Sequence, residues 1–309
     1  MKKITLKGLF FGALLSSVML FAGCSASNST TESTQTKTDA LSHKVSIPEH
    51  PKRIIGSYLE DYLVSLDVKP VAQWTVGKGS IQHYLQDDLA DIPTINFDLP
   101  YEDVLKFEPD LLLIESNSMV EGGKYAEYSK IAPTYVVKNG DKVTWQEKLE
   151  DIASVLGKTK KADQVIDTYE ELVTTTKEQL KDKISGKSAA VLWVTNNSAF
   201  MVAENRSSGN LLYDQLGFEV PNLTKEISKS ASSDWSPVSL EKLATLDADY
   251  LILVNSDKSA AMFEDQIWQN IPAVKAGNLW EFGPETSWLY NGPIAYTQMI
   301  EDIQEKLEK

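Results

Sequence analysis

The sequence contains one cysteine, Cys24, and only three histidines among its 309 residues. A single cysteine cannot form an intramolecular disulfide bond, so the folded chain must be stabilised by a hydrophobic core. The histidines, His43, His50 and His83, are too dispersed to bind a zinc or manganese ion directly. They also supply no positioned base for a Ser/His/Asp hydrolase, and the sequence has no G-x-S-x-G motif. We therefore expect no directly bound metal and no cofactor.

Positive charge is also scarce, because 30 lysines and arginines face 44 aspartates and glutamates, which gives a net charge of -14. Loss of an N-terminal signal containing Lys2, Lys3 and Lys7 and no acidic residue would change the charge from -14 to -17. This balance excludes nucleic acid as an expected partner. After the N-terminal segment, no apolar run is long enough to span a membrane.

The N-terminal segment has a basic start, a short apolar stretch and small residues before Cys24. This layout predicts a signal peptide at 1–23, and it resembles a bacterial lipoprotein signal with Phe21 at the first position of the cleavage motif. The resemblance implies that Cys24 is lipidated. The alternative is an ordinary cleaved signal followed by a free thiol. Residues 24–44 have little apolar content and are predicted to form a flexible polar tether.

An internal repeat gives the fold class, because residues 102–114 can be aligned with residues 241–253. Each copy has apolar residues at helical spacing, followed by a continuous apolar run of the kind found in buried parallel strands. The repeat predicts an α/β protein with two Rossmann-like lobes, at 45–157 and 187–309.

Between the two lobes, residues 160–184 contain no glycine or proline and have apolar residues at helical spacing. We predict one long helix within 158–186 that connects the lobes and limits their relative motion. The alternative is a surface helix that belongs to one lobe only.

The order of these features resembles the substrate-binding proteins of bacterial ABC importers for iron-siderophores, haem and cobalamin. The resemblance covers essentially the whole mature chain and implies a monomeric binding protein, not an enzyme, that delivers its ligand to an ABC permease. The matching motifs after the lipoprotein signal are Lys52-Arg53-Ile54-Ile55, Glu102, Pro109-Asp110, Ile131-Ala132-Pro133-Thr134, Trp145, Leu156-Gly157-Lys158, the segment 268–277 and Trp288.

Glu102 and Glu241 occupy equivalent positions in the repeat. Two nearby carboxylates could support acid-base catalysis, but these two are predicted to lie in separate lobes. A purely structural role is favourable negative charge at a helix N-terminus. The family resemblance implies a third role, in which each glutamate docks on arginines of the permease.

Aromatic residues are the main candidates for ligand contacts, because several lie in or beside loops after strand-like runs, where α/β folds bind ligands. Each could instead belong to the core, to which we assign Trp268 and Trp280. The predicted ligand-binding aromatics are Trp74, Trp193, Trp288 and Tyr290.

Arg206 lies in the turn 204–209, just before a helix predicted to begin at Asn210. Its guanidinium could bind the oxygens of a chelated anion, or it could be an exposed turn charge. In the hydroxamate-siderophore members of the family, an arginine in the corresponding turn contacts the iron-binding oxygens. A catecholate complex carries more negative charge, and the candidate loops offer few basic residues. We therefore expect a ferric hydroxamate such as ferrichrome or ferrioxamine.

The sequence thus predicts a receptor lipid-anchored on the extracytoplasmic face of the cell membrane, which binds a ferric siderophore between its lobes. Haem and cobalamin are alternative ligands. A surface-anchored hydrolase and an adhesin or assembly factor are alternatives from other classes. His83 could line the cleft, or it could be a solvated or packed side chain.

Overall fold

The structure is a computed structural model that describes residues 33–77 and 79–308. The predicted signal peptide at 1–23, the predicted lipidation site Cys24 and the tether residues up to 32 lie outside the described residues. Within the described part, no helix combines the length and the apolar character needed to cross a membrane.

Strands and helices alternate along most of the chain, and short 3-10 turns and one π-helical segment, Asn210–Leu216, complete the order. The strands are β1 (Thr34–Thr38), β2 (Lys44–Pro48), β3 (Ile54–Gly56), β4 (Gln73–Thr75), β5 (Thr94–Asn96), β6 (Leu111–Ile114), β7 (Thr134–Val136), β8 (Ala189–Thr195), β9 (Ser198–Val202), β10 (Trp235–Val238), β11 (Tyr250–Asn255) and β12 (Leu279–Phe282). The helices are α1 (Glu60–Ser65), α2 (Gln86–Leu89), α3 (Tyr101–Lys106), α4 (Lys124–Tyr128), α5 (Trp145–Leu156), α6 (Thr159–Gln179), α7 (Lys181–Ile184), α8 (Ser207–Gly209), α9 (Asn222–Ser228), α10 (Leu240–Leu243), α11 (Gln266–Gln269), α12 (Pro272–Lys275) and α13 (Pro293–Glu308).

The N-terminal lobe is built on parallel strands. Strands β3, β6 and β7 form one sheet in the order β3-β6-β7, and β4 pairs with β5. A parallel bridge between Ile55 and Ala72 joins the two groups at β3. The combined order is therefore β5-β4-β3-β6-β7, which is the doubly wound order 3-2-1-4-5.

The C-terminal lobe has a five-stranded sheet in the order β10-β9-β8-β11-β12. Strands β8, β11 and β12 are parallel, whereas β9 and β10 continue the sheet in antiparallel pairing. Numbered from the first strand of each lobe, both sheets have the order 3-2-1-4-5. The two lobes therefore share one arrangement, and the predicted α/β fold class with two Rossmann-like lobes is confirmed.

The repeat found in the sequence corresponds to one structural unit in each lobe. The first copy contains the short helix α3 and the fully buried strand β6, and the second contains α10 and β11. In each copy a short helix precedes a buried parallel strand, as the spacing of apolar residues predicts.

Helix α6 is the long helix between the lobes, and its 21 residues correspond to a length of about 32 Å. It begins at Thr159, close to the predicted start, but the continuous helix ends at Gln179, before the predicted limit of 186. After Leu180 the chain forms the separate turn α7. The buried Tyr169 of α6 belongs to a hydrophobic cluster with residues from both lobes, such as Leu63 and Val254.

The N-terminal hairpin corrects one prediction, because residues 34–38 and 44–48 form the antiparallel strands β1 and β2. The flexible tether predicted for 24–44 is therefore wrong for residues 34–44. The segment needs no core of its own, because it binds to the first lobe. Tyr135 Oη donates to the carbonyl of Thr38 (3.2 Å), and Gln35 Nε2 donates to the carbonyl of Val155 (2.8 Å).

Candidate ligand-binding cleft

The two sheets share a feature that positions a ligand site. In each lobe the strand order reverses at the first strand, β3 in one lobe and β8 in the other. In doubly wound sheets, ligands bind beyond the carboxyl ends of the strands at this reversal. Tyr58 follows the end of β3, and Trp193 lies near the end of β8.

Four aromatic rings meet near the end of β3. The ring centroid of Tyr58 lies 5.0 Å from that of Trp74 and 6.2 Å from that of Tyr290, and Tyr290 lies 5.3 Å from Tyr84. Tyr290 comes from the C-terminal lobe, and its hydroxyl donates to the backbone carbonyl of Ile81 (3.2 Å). The structure thus brings the predicted residues Trp74 and Tyr290 together at the boundary between the lobes.

Glu60 is a buried carboxyl group that is hydrogen-bonded to the backbone of this cluster. Its Oε1 accepts a hydrogen bond from the backbone N–H of Trp74 (2.6 Å), whereas Oε2 is buried and has no hydrogen-bond partner among the described residues. Burial raises the pKa of Glu60 to about 8, although backbone hydrogen bonds oppose the increase. Burial therefore favours the protonated form of this carboxyl group.

A second aromatic cluster lies in the C-terminal lobe. Trp193 contacts Phe200 at 5.4 Å and Trp235 at 5.9 Å between ring centroids, and all three rings are half-buried. The indole N–H of Trp193 donates to Ser256 Oγ (2.9 Å), at the end of the neighbouring strand β11. This hydrogen bond fixes the orientation of the indole, so the exposed part of the ring is held in place.

An electrostatic interaction links the regions of the two clusters. Burial raises the pKa of the Tyr58 phenol, and the negative charge of Asp234, next to Trp235, raises it further. Asp234 is held by Asn291 Nδ2 (2.9 Å), and Asn291 Oδ1 accepts from Tyr296 Oη (3.1 Å). An acid of one lobe thus acts on a phenol of the other, so the region between the two clusters is the candidate cleft.

Arg206 lies at the N-cap of α8, just after β9, and connects the lobes through an ion pair. Its Nη2 is 3.1 Å from Asp141 Oδ1, and the arginine side chain is only 16% exposed, against 74% for the aspartate. Arg206 Nε and the hydroxyls of Ser207 and Ser208 are buried without hydrogen-bond partners among the described residues. Helical structure begins at Ser207, one turn before the predicted start at Asn210.

Buried donors without acceptors are costly unless a ligand satisfies them. Three such donors in consecutive residues form a local set that could bind oxygen atoms of a ligand. Ser207 also has a φ of 43°, an uncommon conformation for a residue with a side chain. The turn is therefore held in a strained shape next to the guanidinium, as is frequent at ligand-binding sites.

Trp288 differs from the other predicted ligand contacts, because its side chain is fully buried. Its indole N–H donates to Asp302 Oδ2 (2.8 Å), and the ring stacks on Phe282 at 5.3 Å. A ring enclosed in this way cannot line the surface of the cleft, so Trp288 is removed from the candidate ligand contacts. Trp268 and Trp280 are buried, as predicted.

His83 and His43 lie in different surroundings. His83 is exposed at the start of a short 3-10 turn. His43 stacks on Tyr125 with ring centroids 3.8 Å apart, and its Nδ1 lies 3.0 Å from Asp39 Oδ2. Across residues 33–77 and 79–308, no group of three or more His, Cys, Asp or Glu side chains is arranged to hold a metal ion.

Glu102 and Glu241 lie apart from the ligand candidates, on the short helices α3 and α10. Both are exposed, and each helix follows the third strand of its lobe, β5 or β10. The two glutamates thus have the same topological position at the carboxyl ends of the two sheets, which is consistent with one shared role.

Several residues of the cleft escaped the sequence analysis. Tyr58 follows the opening strand directly, and this position after the first strand of an α/β unit is the signal that could have identified it. Trp235 lies in the antiparallel part of the second sheet, which the repeat does not include. The missed residues are Tyr58, Tyr84, Phe200, Ser207, Ser208 and Trp235.

Comparison with known proteins identifies the family. Residues 71–286 match the model of the periplasmic binding protein family. The chain belongs to this family. The predicted resemblance to a family of substrate-binding proteins is therefore confirmed.

Two curated relatives from Bacillus subtilis (strain 168) extend over nearly the whole chain. The iron(3+)-hydroxamate-binding protein FhuD is 26% identical and covers 96% of this chain and 98% of the relative. The probable siderophore-binding lipoprotein YfiY is 28% identical and covers 94% of each.

A solved structure confirms the architecture. Staphylococcus aureus SirA complexed with staphyloferrin B superposes with a TM-score of 0.74 at 25% identity, and the match covers 89% of this chain and 99% of SirA. This chain thus shares its fold with a protein whose structure contains staphyloferrin B.

Proposed function

We infer that this protein binds a ferric siderophore of the hydroxamate type in the cleft between its lobes and delivers it to an ABC permease. The observation that carries this inference is the donor set at 206–208, where a buried guanidinium and two serine hydroxyls have unused hydrogen-bonding capacity. A ferric hydroxamate has iron-bound oxygens that can accept such hydrogen bonds. The curated relative with the name FhuD is an iron(3+)-hydroxamate-binding protein.

The aromatic residues supply the apolar walls of the proposed site. Trp74 and Tyr290 on one side, and Trp193 on the other, are the predicted contacts that remain after Trp288 is removed. Their rings are fixed by packing and hydrogen bonds, so little side-chain entropy is lost when a ligand binds. Tyr58 and Trp235 extend the same two walls.

The charges around the cleft support a ligand with little negative charge. Arg206 already faces Asp141, and Asp234 lies close enough to affect Tyr58. A strongly anionic ferric catecholate would meet these acids with one arginine as the main compensation. A neutral or weakly charged ferric hydroxamate avoids this repulsion.

Delivery requires the receptor to stay near the membrane and to recognise the permease. In the proposed arrangement a lipid on Cys24 anchors the monomeric protein on the extracytoplasmic face of the cell membrane. The exposed Glu102 and Glu241 dock on basic residues of the permease. Their equivalent positions on the two lobes suit a partner with two related binding surfaces.

The ligand assignment can be tested by tryptophan fluorescence titration of the folded chain. Ferric hydroxamates such as ferrichrome and ferrioxamine should quench the emission with micromolar or tighter affinity, because three tryptophans lie in the proposed walls. The comparison panel contains a ferric catecholate, haem and cobalamin. If no hydroxamate quenches the emission and another member of the panel does, the ligand belongs to the class of that other compound and not to the hydroxamates.

A further inference from the structure

The surface around Glu102 has an unusual concentration of exposed apolar side chains. Among the described residues, five large hydrophobic side chains are exposed, and three of these lie within residues 97–105. These three are Phe97 at 50%, Tyr101 at 37% and Leu105 at 54% exposure. Single exposed apolar residues are ordinary, but three within one nine-residue segment indicate a contact surface. We name this cluster the α3 patch.

The α3 patch is not an unfilled part of the core. Helix α3 already buries Val104, and the preceding Leu99 is buried in the same hydrophobic cluster. Tyr101 and Leu105 are four residues apart, so they lie on one face of the helix. The ring of Tyr101 also packs edge-on against the buried Tyr128, with ring centroids 4.9 Å apart, so Tyr101 joins the core to the more exposed Leu105. The inner face of α3 is therefore satisfied, and the patch is available to a partner.

Acidic side chains border the patch. Glu102 lies on α3 itself, and the exposed Asp98 follows Phe97 directly. Asp103 binds Lys106 Nζ (2.7 Å), so the one lysine of the helix is already paired. An apolar surface with an acidic border fits a partner that offers apolar side chains and basic groups.

The equivalent surface of the second lobe has a different shape. In the alignment that pairs Glu102 with Glu241, Phe97 corresponds to Ser236 and Leu105 to Ala244. Next to Glu241 the structure has a hollow of about 560 Å³, which is lined in part by Pro237, Ser239, Leu240 and Met262. The first lobe thus presents exposed apolar side chains where the second presents a hollow.

We propose that Phe97, Tyr101 and Leu105 form an apolar anchor that binds the extracytoplasmic surface of the membrane permease, with Glu102 and Asp98 paired to its basic groups. This rests on the proposed role as the receptor of an importer. A second copy of this chain is disfavoured, because acidic borders would meet on a chain with a net charge of -14. An anionic lipid surface is disfavoured for the same reason.

The difference between the two lobes predicts that they contribute unequally to binding of the permease. Both lobes contribute a glutamate, but only the first adds three large apolar side chains at the equivalent surface. Most of the binding energy in interfaces comes from a few buried large side chains, whereas exposed charges mainly affect association rate and orientation. The first lobe therefore supplies the tighter contact with the permease, and the second lobe fixes the orientation of the receptor on it.

Photo-crosslinking in cells that express the full chain tests this surface without knowledge of the siderophore. A benzoylphenylalanine at position 105 should form an adduct with a polytopic permease subunit, which mass spectrometry identifies. The same probe at Leu41, which is 37% exposed on the N-terminal hairpin, is the matched control and should form no such adduct. The proposal would be overturned if position 105 formed an adduct with a second copy of the receptor or with lipid. It would also be overturned if position 105 formed no adduct with any protein.

Substitution gives an independent measurement in the same cells. The double variant Phe97→Ser/Leu105→Ser should reduce uptake of radiolabelled ferric hydroxamate at least tenfold, while the dissociation constant from tryptophan quenching stays unchanged. Leu41→Ser should leave uptake unchanged. Unchanged uptake by the double variant contradicts the anchor. By contrast, failure of the wild-type protein to bind any hydroxamate contradicts the proposed ligand and leaves the crosslinking result to decide the anchor.

Discussion

The carboxylate of Asp61 lies against Gly292, so closely that a Cβ on this glycine would stand 2.4 Å from Asp61 Cγ. Asp61 belongs to α1 of the first lobe. It accepts hydrogen bonds from the backbone N–H groups of Ile294 (3.0 Å) and Ala295 (2.9 Å), in the first turn of the C-terminal helix α13. A fully buried acid of one lobe thus caps a helix that follows the other lobe, and this tie adds to the connection made by α6.

The tie requires glycine at 292. Its φ is 144°, and the space for a side chain is filled by Asp61. We expect Gly292→Ala to lower the free energy of unfolding by roughly 2 to 4 kcal/mol, because it adds backbone strain and displaces a hydrogen-bonded carboxylate. Urea unfolding followed by tryptophan fluorescence measures this loss.

Gly277→Ala is the matched control. Gly277 also has a positive φ, 76°, but a Cβ there would have no atom within 4 Å. Only backbone strain should remain, with a cost of about 1 kcal/mol. Equal losses for the two variants would show that the contact with Asp61 has no energetic role.

The buried Glu60 predicts a specific dependence of stability on pH. Burial raises the pKa of Glu60 from 4.5 to about 8 in the folded state. Stability from this group is therefore complete below pH 4.5 and is lost as the pH rises towards 8, because the unfolded chain releases the proton more easily. Asp61, whose pKa is raised by burial to about 6, contributes with the same sign at lower pH.

Glu60→Gln isolates this effect, because the amide oxygen can still accept from the backbone N–H of Trp74. The variant should be more stable than the wild-type protein at pH 8 by more than about 1 kcal/mol, and the difference should shrink towards pH 5. Unfolding curves at several pH values provide the measurement. Glu170→Gln, at an exposed position of α6, should follow the wild-type curve. A constant difference between Glu60→Gln and wild type would contradict the titration of Glu60.

The features that could be predicted from the sequence are those that depend on the local spacing of apolar residues. The repeat identified α3 with β6 and α10 with β11, because a buried parallel strand is a continuous apolar run. The hairpin β1-β2 could not be predicted from its own composition, since its stability comes from contacts with Tyr135 and Val155, about a hundred residues later.

The cleft was only partly predictable for a related reason. Trp74 and Trp193 follow the rule that ligands bind near the carboxyl ends of strands, and the structure places both rings at such ends. The same rule wrongly included Trp288, because sequence position does not reveal that its indole donates to Asp302 within the core. Tertiary contacts, not local pattern, distinguish a ring in a cleft from a ring in a core.

Arg206 should contribute to ligand affinity and little to stability. Its ion-pair partner Asp141 is 74% exposed, and such pairs add little free energy. We expect Arg206→Gln to weaken binding of a ferric hydroxamate at least tenfold, or about 1.4 kcal/mol, without a large change in the melting temperature. Arg206→Lys should not restore affinity, because an ammonium group lacks the planar fork of donors.

Asp141→Asn separates the arginine from its ion pair. This variant leaves Arg206 in place and removes the negative charge that competes with ligand oxygens. The affinity for the hydroxamate should therefore stay equal or increase, as measured by the same fluorescence titration. If Asp141→Asn weakens binding as strongly as Arg206→Gln, the ion pair itself is the functional element and the guanidinium does not act as a free donor.

The ties between the lobes predict a small closure on ligand binding. Besides α6, the lobes are joined by Asp61 at α13 and by Tyr290 Oη at the carbonyl of Ile81. Solution scattering should show a change in the radius of gyration of less than about 1 Å when a saturating ferric hydroxamate is added. A much larger change would mean that these contacts open in solution.

The proposed lipid anchor predicts that a variant without it changes the location of the protein and does not change its affinity for the ligand. Strand β1 begins at Thr34 and is bound to the first lobe, so the proposed lipid on Cys24 is separate from the ligand-binding cleft in the chain. Cys24→Ala should release the protein into the medium and reduce uptake of ferric hydroxamate, while the dissociation constant stays unchanged. Ser27→Ala is the matched control and should remain with the membrane fraction. If Cys24→Ala also remains there, the apolar segment before position 24 is not removed, and the chain is retained by that segment instead of a lipid.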